Sequence, residues 1–199
     1  MARPKEPWKR ERLLDAAMST MVDKGFGSVT VKDVADAAGV SPGTVHYHFA
    51  DIDGVLLGVV ERALDQMYDQ RLEAIAAVTD IRAKLITLID LGLPDEISHE
   101  VTLIYEAIPV IRAREHFHVV IKSYVDRQVS LYRSVIDAGV STGDFTPQEP
   151  VDVIARNMLA LEDAYGLYMV VNAMRDSATG RHNIRTYASR ALAVTLGED

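Results

Sequence analysis

The chain has 199 residues, 48% hydrophobic and 25% charged, with a formal net charge of −8 and no cysteine. That composition fits a folded globular protein of one large or two small domains. The missing cysteine excludes disulfides, thiolate metal sites and cysteine nucleophiles, and suits a reducing cytoplasm. Charge is unevenly spread: residues 1–50 hold seven Lys or Arg against six Asp or Glu, and residues 51–199 hold fourteen against twenty-three. The opening MARPKEPWKRER carries charge without an apolar run behind it, so it does not read as a secretory signal.

In chain order, Pro7 opens a first helix bearing Leu13, Leu14, Ala17, Met18 and Met21, which ends near Gly25. GSVTV at 27–31 alternates, but is too short and isolated to build a sheet. Thr30 is the expected N-cap of a second helix over 31–38 that Gly39 stops, and Ser41 caps a third over 42–48 with Pro42 at its first position. Asp51 caps a fourth. Longer helices are expected at about 52–78, 80–92, 95–112, 115–140, 149–175 and 180–196, with Pro109 kinking or dividing its own. The predicted fold is all-α, with a three-helix head over 1–51 and a helical body over 52–199.

The stretch Gly39–Phe49, GVSPGTVHYHF, carries the sharpest signal. His46 and His48 form an H-x-H, yet two residues apart on a helix point about 200° away from each other, so they do not share one metal ion. Ser41 is explained as a cap, and a short exposed helix gives a serine nucleophile no pocket that excludes water. What remains is a helix-turn-helix, with Gly39 free to take positive φ and Val40 inward at the corner. Ser41, Gly43 and Thr44 are small enough for the reading helix to approach base edges closely. Thr44 suits a base hydrogen bond or a thymine methyl. Tyr47 and His48 suit phosphate oxygens, and Phe49 and Val45 suit the core.

Taken in order with their spacing, Leu13-Leu14, Ala16-Ala17, Gly25, Thr30-Val31, Val34-Ala35, Ala38-Gly39-Val40-Ser41, Gly43-Thr44-Val45, Tyr47, Phe49 and Leu56-Leu57 resemble the head of the tetracycline-repressor (TetR) family of bacterial regulators. The resemblance implies a third helix that enters the major groove of double-stranded DNA. It assigns base contact to Thr44 and His46, and phosphate contact to Thr30, Lys32, Tyr47 and His48, with Arg3 or Lys5 as an arm. One position departs: where the family usually has a phosphate-gripping lysine just after the fourth helix's cap, this chain has Ile52.

Beyond residue 60 the resemblance fades and physical pattern takes over. Residues 151–174 are apolar nearly all round, so that helix is expected to be buried on more than one side. Arg156, Asn157, Glu162 and Asp163 argue against a membrane span. Paired with the helix at 115–140, it is expected to form the four-helix interface of a homodimer. Such a dimer presents two reading helices about 34 Å apart to a near-palindromic operator. Two E-x-x-H spacings, Glu96–His99 and Glu115–His118, resemble di-iron ligand pairs, but 19 helical residues separate them by about 28 Å. No metal, cofactor or catalytic residue is expected.

A small-molecule effector is expected among Tyr68, Leu88, Tyr105, Glu106, Phe117, Tyr124, Met158, Glu162 and Tyr165. Two buried carboxylates, Glu106 and Glu162, would favour a cationic or hydroxyl-rich ligand unless a partner such as Arg127 neutralises them. The whole reads as a cytoplasmic, ligand-responsive repressor whose fourth helix is the lever, with Gly54 and Gly58 as points of give. A ligand-independent activator and a helical enzyme using an acidic cavity are the alternatives. Replacing Ile52 with Lys should tighten binding to all DNA sequences alike and steepen the salt dependence by about one charge. Titration on two unrelated duplexes checks this; a gain on one only would count against the placement.

Overall fold

The computed structural model describes residues 7–112 and 115–196. Among them are nine α-helices: α1 Pro7–Lys24, α2 Val31–Ala38, α3 Pro42–His48, α4 Ile52–Ala77, α5 Ile81–Gly92, α6 His99–Arg112, α7 Glu115–Thr142, α8 Val151–Val170 and α9 Ala178–Ala191. The alternating GSVTV stretch contributes a 3-10 turn at Phe26–Ser28 followed by extended Val29, with no partner strand among the described residues. Two compact units divide these elements. One holds the chain up to Leu64 together with His99–Val120; the other holds Asp65–Ser98 and the chain from Ile121 onward. The first unit therefore runs past residue 51, where the head was expected to end, and takes in a segment from mid-chain.

In the first unit, α1 lays Leu13, Leu14, Ala17 and Met21 inward at helical spacing, all at most 2% exposed. They pack with Val34 and Ala35 of α2, Val45 of α3, Phe49, and Val55, Val59 and Val60 of α4, all buried. The α6 helix lies against the 3-10 turn and α1. Arg62 of α4 donates to Asp15 of α1 at 2.7 Å and to the Glu11 carbonyl at 3.3 Å. Asp51 accepts the Gly54 N–H at 2.8 Å, the cap expected for α4. Pro109 does not divide α6, which continues to Arg112.

In the second unit, α5, α8, α9 and the later parts of α4 and α7 enclose one core that includes Leu85, Leu88, Ile89, Tyr132, Ile136, Ile154, Met158, Ile184 and Ala188. Three helix ends depart from the sequence reading for local reasons. Asp95, expected in the first turn of α6, instead binds Ser177 Oγ at 2.7 Å and Arg181 at 2.5 Å, and the helix starts at His99. Asn172 takes φ 56°, and the N–H groups of Ala173 and Met174 turn back to the Tyr168 carbonyl, closing α8 five residues early. Ala193 at φ 48° similarly ends α9 before 196.

Within this core sits a buried ion pair. Arg71 of α4 donates to both Glu162 oxygens of α8 at 3.2 Å and to the Leu88 carbonyl of α5 at 3.0 Å. Tyr132 of α7 donates to Glu162 as well and lies under the guanidinium, 5.2 Å from its centroid. Arg127, a conceivable partner for the two glutamates on sequence alone, pairs with Asp65 at 2.6 Å and covers the Tyr68 ring. Removing one charge strands the other in apolar surroundings. Arg71→Met should therefore cost about 3–5 kcal/mol, and Arg71→Met with Glu162→Leu should recover most of it. Urea unfolding measures both, and equal losses in the two variants would refute the coupling.

Candidate functional site

The head turns on a conformation that one residue type adopts cheaply. Gly39 takes φ 67° and ψ 36°, and its N–H closes onto the Ala35 and Asp36 carbonyls, in the left-handed region that a Cβ disfavours. The Val40 N–H returns to Ala35 O at 2.9 Å. Ser41 Oγ then accepts the Thr44 N–H at 3.3 Å, with Pro42 at the start of α3. So α2 and α3 span the residues that capping chemistry set, and the helix-turn-helix is present as expected.

The expected contact residues of the head fall on its outer side. Ser41, Gly43, His46 and Tyr47 are exposed, Thr44 and His48 are half-buried, and Val45 and Phe49 are buried. Tyr47 is 46% exposed and meets the His48 ring edge-on at 5.1 Å. His46 Nδ1 donates to the Ala50 carbonyl at 3.2 Å, which turns that ring toward the end of α3. Thr44 Oγ1 lies 3.1 Å from Ser41 Oγ. Thr30 is exposed, but its hydroxyl is engaged: it accepts the Asp33 N–H, while its own N–H and O–H reach the Asp33 carboxylate. Lys24, at 2.7 Å, and then Thr30 hold the Asp33 pKa down at about 2. Exposed Lys32 holds Asp36 at 2.5 Å, which raises the lysine pKa. Arg3 and Lys5 lie outside the described residues.

The nine residues expected at an effector are not gathered in one unit. Tyr68, Leu88, Tyr124, Met158, Glu162 and Tyr165 belong to the second, and Tyr105, Glu106 and Phe117 to the first. Leu88, Met158 and Phe117 are fully buried. Tyr68, Tyr105, Tyr124 and Tyr165 are half-buried, and Tyr165 accepts a hydrogen bond from Asn183 at 2.9 Å. Glu106 is exposed, so water already solvates it and no ligand charge is needed. Glu162 is 3% exposed. Burial raises its pKa to about 7 against the opposing pull of Arg71 and Tyr132. Arg71 answers its charge from within the chain, which removes the premise that two unpaired carboxylates await a cation.

On α8 and at its C-cap, Val153, Leu167, Tyr168 and Val171 are 40–59% exposed. Val153, Asn157, Ala160, Ala164, Leu167 and Val171 follow a seven-residue spacing along the outer side, with Tyr168 next to it. On α7, expected to pair with α8 at an interface through Ile121, Tyr124, Val125, Gln128, Leu131, Tyr132, Val135 and Ile136, the last five are buried inside the second unit. Ser130, Arg133, Ser134, Asp137, Ala138 and Ser141 occupy its exposed face. Glu96, His99, Glu115 and His118 are exposed side chains.

The family model described as "Bacterial regulatory proteins, tetR family" matches residues 13–59, the span that holds α2, α3 and the parts of α1 and α4 packed on them. Residues 13–59 are thus a TetR-type DNA-binding head. Among its curated relatives is the HTH-type transcriptional repressor KstR2 of Rhodococcus jostii (strain RHA1), 28% identical over 150 residues, covering 74% of this chain and 73% of that one. The regulator BetI of Rhizobium meliloti (strain 1021) is 32% identical over 84 residues, 42% of this chain and 41% of its own. Two solved structures share the fold. A TetR transcription regulator from Haloarcula marismortui ATCC 43049 has TM-score 0.86 and 22% identity, covering 94% of this chain and all of that one. A proposed regulator from Saccharomonospora viridis, in complex with choline, has TM-score 0.82 and 21% identity, over 94% and 98%. The protein is a DNA-binding transcriptional regulator with that head.

Two features of the regulator escaped the sequence reading though a signal existed. Arg71 falls on the inward stripe of α4, in step with Leu64, Tyr68 and Ile75, and an arginine in an apolar register announces a buried partner. Gly58, taken as a point of give, is instead a point of close packing. A Cβ there would lie 3.1 Å from Leu14, 3.2 Å from Phe49 and 3.3 Å from Arg10. Gly58→Ala should therefore lower head stability by about 1 kcal/mol, overpacking outweighing the gain in helix propensity. A raised melting temperature would show instead that Leu14 and Phe49 yield.

Proposed function

We propose that the protein is a homodimeric repressor that binds a near-palindromic operator through α3 and leaves it when a small-molecule effector binds. The observation that carries this reading is the capped α2–Gly39–α3 turn, with Ser41, Gly43, His46 and Tyr47 exposed and Thr44 at the edge of the reading helix. In this reading Thr44 and His46 meet base edges. Thr30, Lys32, Tyr47 and His48 hold phosphates, Ser41 and Gly43 allow the close approach, and Arg3 or Lys5 reaches further along the duplex. Lys32 must leave Asp36 to do so.

The exposed seam on α8 is suited to a second copy, with the small and polar outer face of α7 beside it. An effector is supported by the aromatic residues of the second unit and by the choline bound in the Saccharomonospora viridis neighbour. A cationic ligand rests on that likeness and on the tyrosines, since Arg71 has already neutralised Glu162. Release follows from differential affinity alone: an effector that favours the conformation with misplaced heads loosens DNA by that preference and no more. The protein needs no catalytic group for this role, and no helix among the described residues is long and apolar enough to cross a membrane.

Selection of bound sequences from random duplex DNA tests the reading, with the Thr44→Ala, Tyr47→Phe variant run in parallel. The expected result is a two-fold-symmetric motif that the variant loses. No enrichment from a confirmed dimer at low salt would overturn it.

A further inference from the structure

The end of α1 that lies beside the reading helix carries a cluster unused so far. Trp8 is 53% exposed, far more than an indole placed for packing. Two cations lie over it: Lys9 Nζ is 5.3 Å and the Arg12 guanidinium 5.7 Å from a Trp8 ring centroid. Arg12 also donates to the Ala38 carbonyl, the last residue of α2, at 3.4 Å. Lys9 and Arg12 line a hollow of about 190 Å³ whose other walls are Leu13, Ala38, Val40 and Thr44. One small concavity thus joins α1, the turn after α2, and the first turn of α3.

The charge arrangement gives the hollow a sign. The two acids on α1 nearest to it in sequence, Glu11 and Asp15, are drawn to Arg62 of α4 at 3.5 and 2.7 Å. The contacts of Arg12 among the described residues are a carbonyl and a ring, not a carboxylate. Stacking on an indole holds a long cationic side chain in place while leaving its N–H groups outward, so little rotamer freedom remains to be lost on binding. A rigid fork and a point charge beside an apolar wall are matched to a phosphodiester: two acceptor oxygens and a negative charge on an apolar sugar.

We propose that Trp8, Lys9 and Arg12 clamp a backbone phosphate of the duplex that α3 reads, positioning the reading helix without contributing to base choice. The inference rests on the DNA-binding reading above. Ile52 opens α4 without charge, so that position supplies no cation for a phosphate. The clamp sets the depth at which Thr44 enters the groove, since both border one hollow.

The test uses the full chain and fluorescence anisotropy on two duplexes, one with the selected operator and one scrambled, across a series of salt concentrations. Lys9→Gln and Arg12→Gln should each weaken both duplexes by the same factor. Each should also flatten the slope of log affinity against log salt by about 0.9, the value of one lost phosphate contact. Arg12→Lys should keep the slope while losing the cap on Ala38, which separates the phosphate role from support of α2. Trp8→Ala should weaken both duplexes with the slope nearly kept. Unchanged affinity and slope in both Gln variants, with unchanged melting temperature, would overturn the clamp while leaving the DNA reading intact. Loss confined to the operator would overturn it too, by making these residues base readers. Wild-type protein that binds neither duplex at low salt would overturn the DNA reading itself.

Discussion

An arginine and a glutamate, closed off together from water, constrain the second unit more than any other contact. Each ion alone costs several kcal/mol to bury, so neither position is tolerable without the other. Their geometry recruits four helices: α4 supplies Arg71, α8 supplies Glu162, α7 adds the Tyr132 hydroxyl, and α5 adds the Leu88 carbonyl. The same closeness dictates a residue with no charge. Glu162 lies where a Cβ on Gly92 would stand, so the last residue of α5 has room for hydrogen alone while the carboxylate stays with Arg71. A polar pair of this kind adds little net stability over a well-packed apolar one. It joins four helices at one buried point.

The first unit achieves definition differently, by local chemistry at short range. Thr30 with Asp33, Gly39, Ser41 with Pro42, and Asp51 each fix one helix end, and every one acts within four residues. The core beneath needs only to hold three short helices in the order those ends dictate. That division of labour suits a protein whose reading surface must be stiff.

The difference also explains what was legible. The bounds of α2 and α3 follow from caps, and caps are written in neighbouring residues, so 31–38 and 42–48 were readable before any fold was known. The start of α6 was not, because Asp95 answers to Ser177 and Arg181 more than eighty residues away. Arg127 is one conceivable partner for the two glutamates, Glu106 and Glu162, on sequence alone, whereas Arg71 is hidden in a run that otherwise looks like ordinary apolar periodicity. Which of nine candidate effector residues share a unit was likewise beyond periodicity: spacing places a side chain on a face of its own helix and says nothing of the neighbour it meets. Gly58 looked flexible in one dimension and proved crowded in three.

Several cations of the head already carry an anion of their own: Lys24 holds Asp33, Lys32 holds Asp36, and Arg62 holds Asp15. A polyanion approaching such a surface must exchange one negative partner for another, and the displaced aspartate remains nearby to repel it. That penalty is blind to sequence, so it subtracts from indiscriminate adhesion while leaving discrimination between base pairs untouched. In a genome offering roughly 10⁶–10⁹ wrong sites, a molecule built this way lingers less at each of them.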